Sequence, residues 1–137
     1  MNREEILIGE INLDDFSITI NEILNLNEDI GLNLKSDLGI GKIYVYSNEG
    51  NIPHFHINGK GWKSCIKIYE PKYFIHKDYT QTFSSKQRKI LNNYLHQKSD
   101  IYSGTNWEYI SYVWKLRGNT IINIPENPIQ PDYTKLS

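Results

Sequence analysis

Apolar and polar positions alternate with the period of a strand through the first half of the chain and with that of a helix later on. Residues Ile6 to Leu13 read as a strand, and Phe16, Ile18 and Ile20 alternate with Ser17, Thr19 and Asn21 in the same way. Beyond Ile20, Ile23 and Leu24 fit a short helix. Asn25 to Gly41 mixes Asn, Asp, Gly and Leu and reads as a linker-like loop whose leucines dock on the core. The centre predicts an antiparallel meander of three strands, Ile43 to Ser47, Ile52 to Asn58 and Trp62 to Tyr69. Ser47-Asn48-Glu49-Gly50-Asn51 supplies the first turn and Gly59-Lys60-Gly61 the second. Pro53 cannot donate a ladder hydrogen bond, so its strand lies at an edge or starts irregularly. Glu70-Pro71 ends the third strand, and Tyr73 to His76 reads as a short fourth.

The period then changes. Ser84-x-x-Gln87 is a capping-box pattern ahead of Ile90, Leu91, Tyr94 and Leu95, which share one helical face. Thr105-x-x-Glu108 repeats it ahead of Ile110, Val113, Trp114 and Leu116, with Gly118 as a stop and Lys115 and Arg117 at the negative end of the helix dipole. Pro125, Pro128 and Pro131 make the tail from Ile121 an extended strap or a mobile end. The sum is an α+β fold: a small antiparallel β-meander packed by two or more C-terminal helices. It reads as a single domain over 1–137, with an acidic N-terminal extension (1–40), a meander with helices (42–118) and a Pro-containing tail (121–137).

Composition narrows the class. At 137 residues, 39% hydrophobic and 23% charged, one globular domain is expected, and no apolar run is long enough for a membrane span. Met1-Asn2-Arg3-Glu4-Glu5 carries no apolar signal region, and Cys65 is a single thiol, so a cytoplasmic setting is expected. The absence of alanine beside abundant isoleucine, asparagine and lysine points to an AT-rich bacterial or phage genome. The net charge is −1, but the signs are segregated. Residues 1 to 40 hold two basic and nine acidic groups (−7), residues 41 to 100 ten basic and four acidic (+6). The acidic segment either lies over the basic one or binds a basic protein partner; the basic middle suits phosphate, including RNA. A near-neutral total argues against strong non-specific DNA binding.

The candidate chemistry lies in Ile52-Pro53-His54-Phe55-His56-Ile57. Side chains two apart on a strand share a face, so His54 and His56 project together. Such a pair can hold one divalent metal ion, act as catalytic acid and base on a phosphate, or serve as hydrogen-bonded structural histidines. With Gly59 to Gly61 as a three-residue turn, His56 lies opposite Ser64, His54 opposite Ile66 and Asn58 opposite Trp62; a one-residue slip brings Cys65 and Lys67 alongside instead. Ser64, Lys67 and Trp62 are the candidate ligand-binding residues. His76 is the first candidate for a third metal ligand, with Glu70 and Asp78 behind it. His96 reads as a helix-capping group, Cys65 as a small buried hydrophobe, and Trp107 and Trp114 as core anchors. The lysines at 60, 63, 67, 72 and 77, interleaved with tyrosines 44, 46, 69, 73 and 79, suit either a solvated edge or single-stranded nucleic acid.

Lys42-Ile43-Tyr44-Val45-Tyr46, the Pro53-His54-Phe55-His56 strand, Cys65-Ile66-Lys67-Ile68, Asn106-Trp107-Glu108 and Trp114 together resemble a family of small bacterial proteins of unassigned function. In that family a Pro-His-Phe-His strand lies in a meander followed by helices carrying tryptophan. Its members are often encoded beside a small partner in an arrangement like a toxin-antitoxin pair. The resemblance covers about residues 42 to 118 and implies that His54 and His56 matter without supplying a mechanism. The leading expectation is a small mobile-element or toxin-antitoxin-type protein whose His-x-His site binds or hydrolyses a phosphate-bearing ligand such as RNA. The alternative is a non-catalytic interaction module, an antitoxin-like partner or phage-encoded inhibitor, that uses its acidic N-terminal segment.

Overall fold

The structure is a computed structural model that describes residues 4–14, 37–117 and 124–137. Four strands form one antiparallel sheet in chain order: β1 Glu5–Asp14, β2 Asp37–Tyr46, β3 His54–Gly59 and β4 Trp62–Lys67. Helices α1 (Ser85–His96) and α2 (Asn106–Leu116) follow. The α+β meander expected from the pattern is thus the fold, with the strand over Ile6 to Leu13 added at one edge. The features expected over Phe16 to Leu24 lie outside the described residues. No helix among the described residues is long and apolar enough to cross a membrane.

The structure moves two of the expected elements and selects between the two alternatives for Pro53, each for a local reason. β2 begins at Asp37, within the stretch that reads as a loop, because glycines interrupt the alternation there. Gly39 adopts φ +69° where β2 carries an extra residue against β1, and its N–H donates to Asp14 Oδ1 at 2.6 Å. β3 lies between β2 and β4, so Pro53 does not mark an edge; it sits just before the strand and makes the start irregular. Tyr73 to His76 forms isolated bridges, Ile66 with Tyr73 and His76 with Tyr79, instead of a fourth full strand.

The β3-β4 hairpin departs from the three-residue turn. Gly59 pairs with Trp62, leaving Lys60-Gly61 as the connection, with Gly61 at φ +81°. Gly59 belongs to the ladder because the Trp62 ring lies over it: a Cβ there would sit 2.0 Å from Trp62 Cε2. The pairing is therefore the slipped one, His56 opposite Cys65 and His54 opposite Lys67.

The inner face of the sheet carries Ile43, Val45, Phe55, Ile57 and Ile66, all fully buried against Leu91, Leu95, Ile110 and Trp114 of the helices. Each such aliphatic side chain contributes on the order of 1.5–3 kcal/mol by leaving water. Both predicted capping boxes form, Ser84 with Gln87 and Thr105 with Glu108. Gly118, the expected stop of α2, lies outside the described residues; the helix ends at Leu116. The tail is a strap and not a mobile end over residues 124–137. It finishes in a short turn, Tyr133–Lys135, that drives Tyr133 into the core, where its hydroxyl donates to Ile68 O at 2.7 Å.

Candidate metal centre

Strand alternation places His54 and His56 on the face of β3 opposite Phe55 and Ile57, although at the start of the strand the His54 ring still meets Trp114 of α2, with centroids 5.3 Å apart. The hairpin register adds Cys65 to that face, and Tyr44, the β2 partner of His56, follows on the next strand. This end of the outer face is not left to solvent. After Pro71 the chain turns back along β4: Lys67 N donates to Lys72 O, Phe74 N to Cys65 O and Gln81 N to Lys63 O, each at 2.9 Å. The covering segment lays Phe74 against His54 and Tyr79 against His56, with ring centroids 4.9 and 4.6 Å apart. His54 is consequently 3% exposed, His56 1% and Cys65 1%.

The three side chains converge. One ligand atom from each of His54, His56 and Cys65 lies within 4.8 Å of the others. The second nitrogen of each imidazole is held from outside the cluster. His54 donates from Nδ1 to the Ile52 carbonyl at 2.5 Å, and His56 donates from Nε2 to Glu49 Oε1 at 3.1 Å. These bonds fix the tautomers, so an ion would take His54 Nε2 and His56 Nδ1, both of which are buried. An outer carbonyl or carboxylate on the far nitrogen is the arrangement that orients metal-ligating histidines and raises their basicity.

Ring spacing agrees with a common ion. Two imidazoles on one tetrahedral zinc, with Zn–N about 2.0–2.1 Å, have centroids about 5 Å apart. Those of His54 and His56 are 5.0 Å apart. Two nitrogens and one sulfur suit zinc-class divalent ions, whereas an all-oxygen set would suit magnesium or calcium. Burial raises the Cys65 thiol pKa, and the Glu49 carboxylate raises it further, against a smaller lowering by the Ile66 backbone. The thiol is therefore neutral without metal, and coordination would release its proton.

The other candidates fall elsewhere. Ser64 is fully buried on the inner face, opposite Ile57, so it does not share a face with the histidines. Trp62 is also on the inner side, where Nε1 donates to Leu38 O at 2.8 Å and the ring meets Phe83. Lys67 does share the face, beside His54, and its ammonium meets Glu70 Oε2 at 3.2 Å. Glu70 is thus engaged by a lysine, as is Asp78, which lies 3.4 Å from Lys63 Nζ. His76 comes close without joining the three: its centroid is 6.2 Å from His54 and 6.3 Å from His56, and Nδ1 lies 3.1 Å from Phe74 O. His96 bonds Asn92 O near the end of α1, and Trp107 and Trp114 anchor the core, as their positions in the sequence suggest.

Cys65 and Glu49 are the residues that the sequence does not single out for the site. The signal for Cys65 was the alternative hairpin register; Glu49 sits in a turn, where no periodicity places a side chain. Compared with models of protein families, with curated proteins and with solved structures, the chain matches none.

Proposed function

We propose that this chain is a metal-binding protein in which His54, His56 and Cys65 hold one divalent ion of the zinc class. The ion's role in this reading is structural, fastening the covering segment to the sheet. The observation that carries it is the convergence of three ligand atoms within 4.8 Å, with the outer nitrogen of each histidine already oriented. A metal-free acid-base pair would have to meet its substrate in an open concavity. Exposures of 3% and 1% for the two rings argue against that use.

The direct test is elemental analysis of untagged protein beside a His54→Ala/His56→Ala variant. About one equivalent of zinc or a similar ion, absent from the variant, is the expected result. No metal in the unaltered protein after soaking would overturn the proposal.

A second reading keeps the ion and adds chemistry on a phosphate-bearing ligand such as RNA. It is favoured by a cleft of about 230 Å³ lined by Ile52, Pro53, Lys67 and Glu70, where Lys67, the β4 partner of His54, would exchange its ion pair with Glu70 for a phosphate. Cleavage of single-stranded RNA by the metal-loaded protein, lost on His54→Ala, would select this reading. Inert RNA would leave the structural role.

A further inference from the structure

We infer that His76 is the fourth metal ligand, carried by the covering segment, so that the ion closes a three-histidine, one-cysteine centre and latches residues 73–79 onto the sheet. This deepens the proposal above and rests on it.

Structural zinc is almost always four-coordinate. The sheet supplies three donors, so a fourth must come from what covers them. Among the described residues, the acidic groups nearby are committed elsewhere: Glu49 orients His56, Glu70 meets Lys67 and Asp78 meets Lys63. His76 remains, and its setting repeats that of the other two histidines. It is almost equidistant from their rings, at 6.2 and 6.3 Å. Its Nδ1 is turned onto a backbone carbonyl, Phe74 O, as His54 Nδ1 is turned onto Ile52 O. That makes Nε2 the nitrogen that would serve as the ligand atom.

The segment is built to deliver this ring as a unit. Tyr79 N donates to His76 O at 2.9 Å across a turn in which Lys77 has φ +51°, and the Tyr79 ring stacks on His76 at 5.0 Å while its edge meets His56. The hinge side of the unit is Phe74 N bonded to the carbonyl of Cys65, itself a ligand. Bringing His76 from its present separation to that of two imidazoles on one ion requires a movement of about 1 Å. Rotation within a short irregular segment accommodates that.

Cobalt(II) titration of the full chain tests this, because cobalt reports geometry and thiolate ligation in its visible and near-ultraviolet spectrum. The unaltered protein is expected to show intense tetrahedral d–d bands with a thiolate charge-transfer band. His76→Ala should keep the thiolate band but lose the tetrahedral intensity, and bind cobalt at least about tenfold more weakly. An unchanged spectrum and affinity in His76→Ala would overturn the fourth-ligand assignment while leaving the three-residue centre standing. Failure of the unaltered protein to bind cobalt or zinc would instead sink the parent proposal. A second measurement needs no variant: adding zinc to the metal-free protein should slow amide exchange across residues 73–79 by tenfold or more. Slowing confined to residues 54–56 and 65 would overturn the latch.

Discussion

Burial, together with the charge of the Glu49 carboxylate, makes the Cys65 thiol sensitive to base when no metal is present. Its folded pKa is raised above the ordinary 9.0 by burial first and by Glu49 second. The unfolded chain therefore loses this proton at lower pH than the folded one, so the contribution is fully present below about pH 9 and is lost as pH rises beyond it. Metal-free protein should lose about 1.4 kcal/mol per pH unit from this group above that point. In Cys65→Ala the onset should move up to the range where the half-buried Tyr69, Tyr73 and Tyr94 and the fully buried Tyr133, all raised from 10.0 mainly by desolvation, begin to act. Urea unfolding between pH 8 and 11 checks this; an unchanged onset in the variant would exclude the thiol as its source. Glu49 belongs to the same scale. As the acceptor that orients His56, its replacement by Gln should weaken zinc binding by about 10–100-fold. Competition with a chromophoric chelator measures that loss, and the urea midpoint of the metal-free variant should stay close to that of the unaltered protein.

At the scale of an element, the β3-β4 hairpin decides which side chains meet, and its two glycines act for different reasons. Gly61 needs its positive φ but has nothing within 4 Å of a would-be Cβ. Gly61→Ala should cost about 1–2 kcal/mol, and Gly61→Asn less, since asparagine tolerates that backbone region. Gly59 has no such dihedral demand; its Cβ would collide with the Trp62 ring. Gly59→Ala and Gly59→Asn should each cost about 1–3 kcal/mol through overpacking. Chemical denaturation of the four variants separates the two mechanisms: rescue by Asn at 61 and none at 59. Equal rescue at both would show that Trp62 does not pin the register.

At the scale of the molecule, the tail ties the sheet to the helices. Tyr133 is fully buried with its ring against Phe55, its N–H bonds Asn92 Oδ1, and Arg88 bonds the carbonyl of Thr134. Tyr133→Ala should cost about 3–5 kcal/mol, as for other large aromatic truncations. Tyr133→Phe should cost only about 1 kcal/mol, because the Ile68 carbonyl keeps the Trp107 indole as a second donor. Thermal or urea unfolding of the pair measures the ratio, and similar losses would mean that the hydroxyl, not the ring, does the tying. Local signals in the sequence determined the strands around the His-x-His motif, both capped helices and the shared face of His54 and His56, since strand period and capping chemistry act within a few residues. Tertiary structure alone decided the rest. The Trp62 ring over Gly59 chose the register that brings in Cys65, the chain after Pro71 folded back to bury the cluster, and the tail found the core. Each of these depends on contacts between segments far apart in sequence, and periodicity carries no information about such contacts.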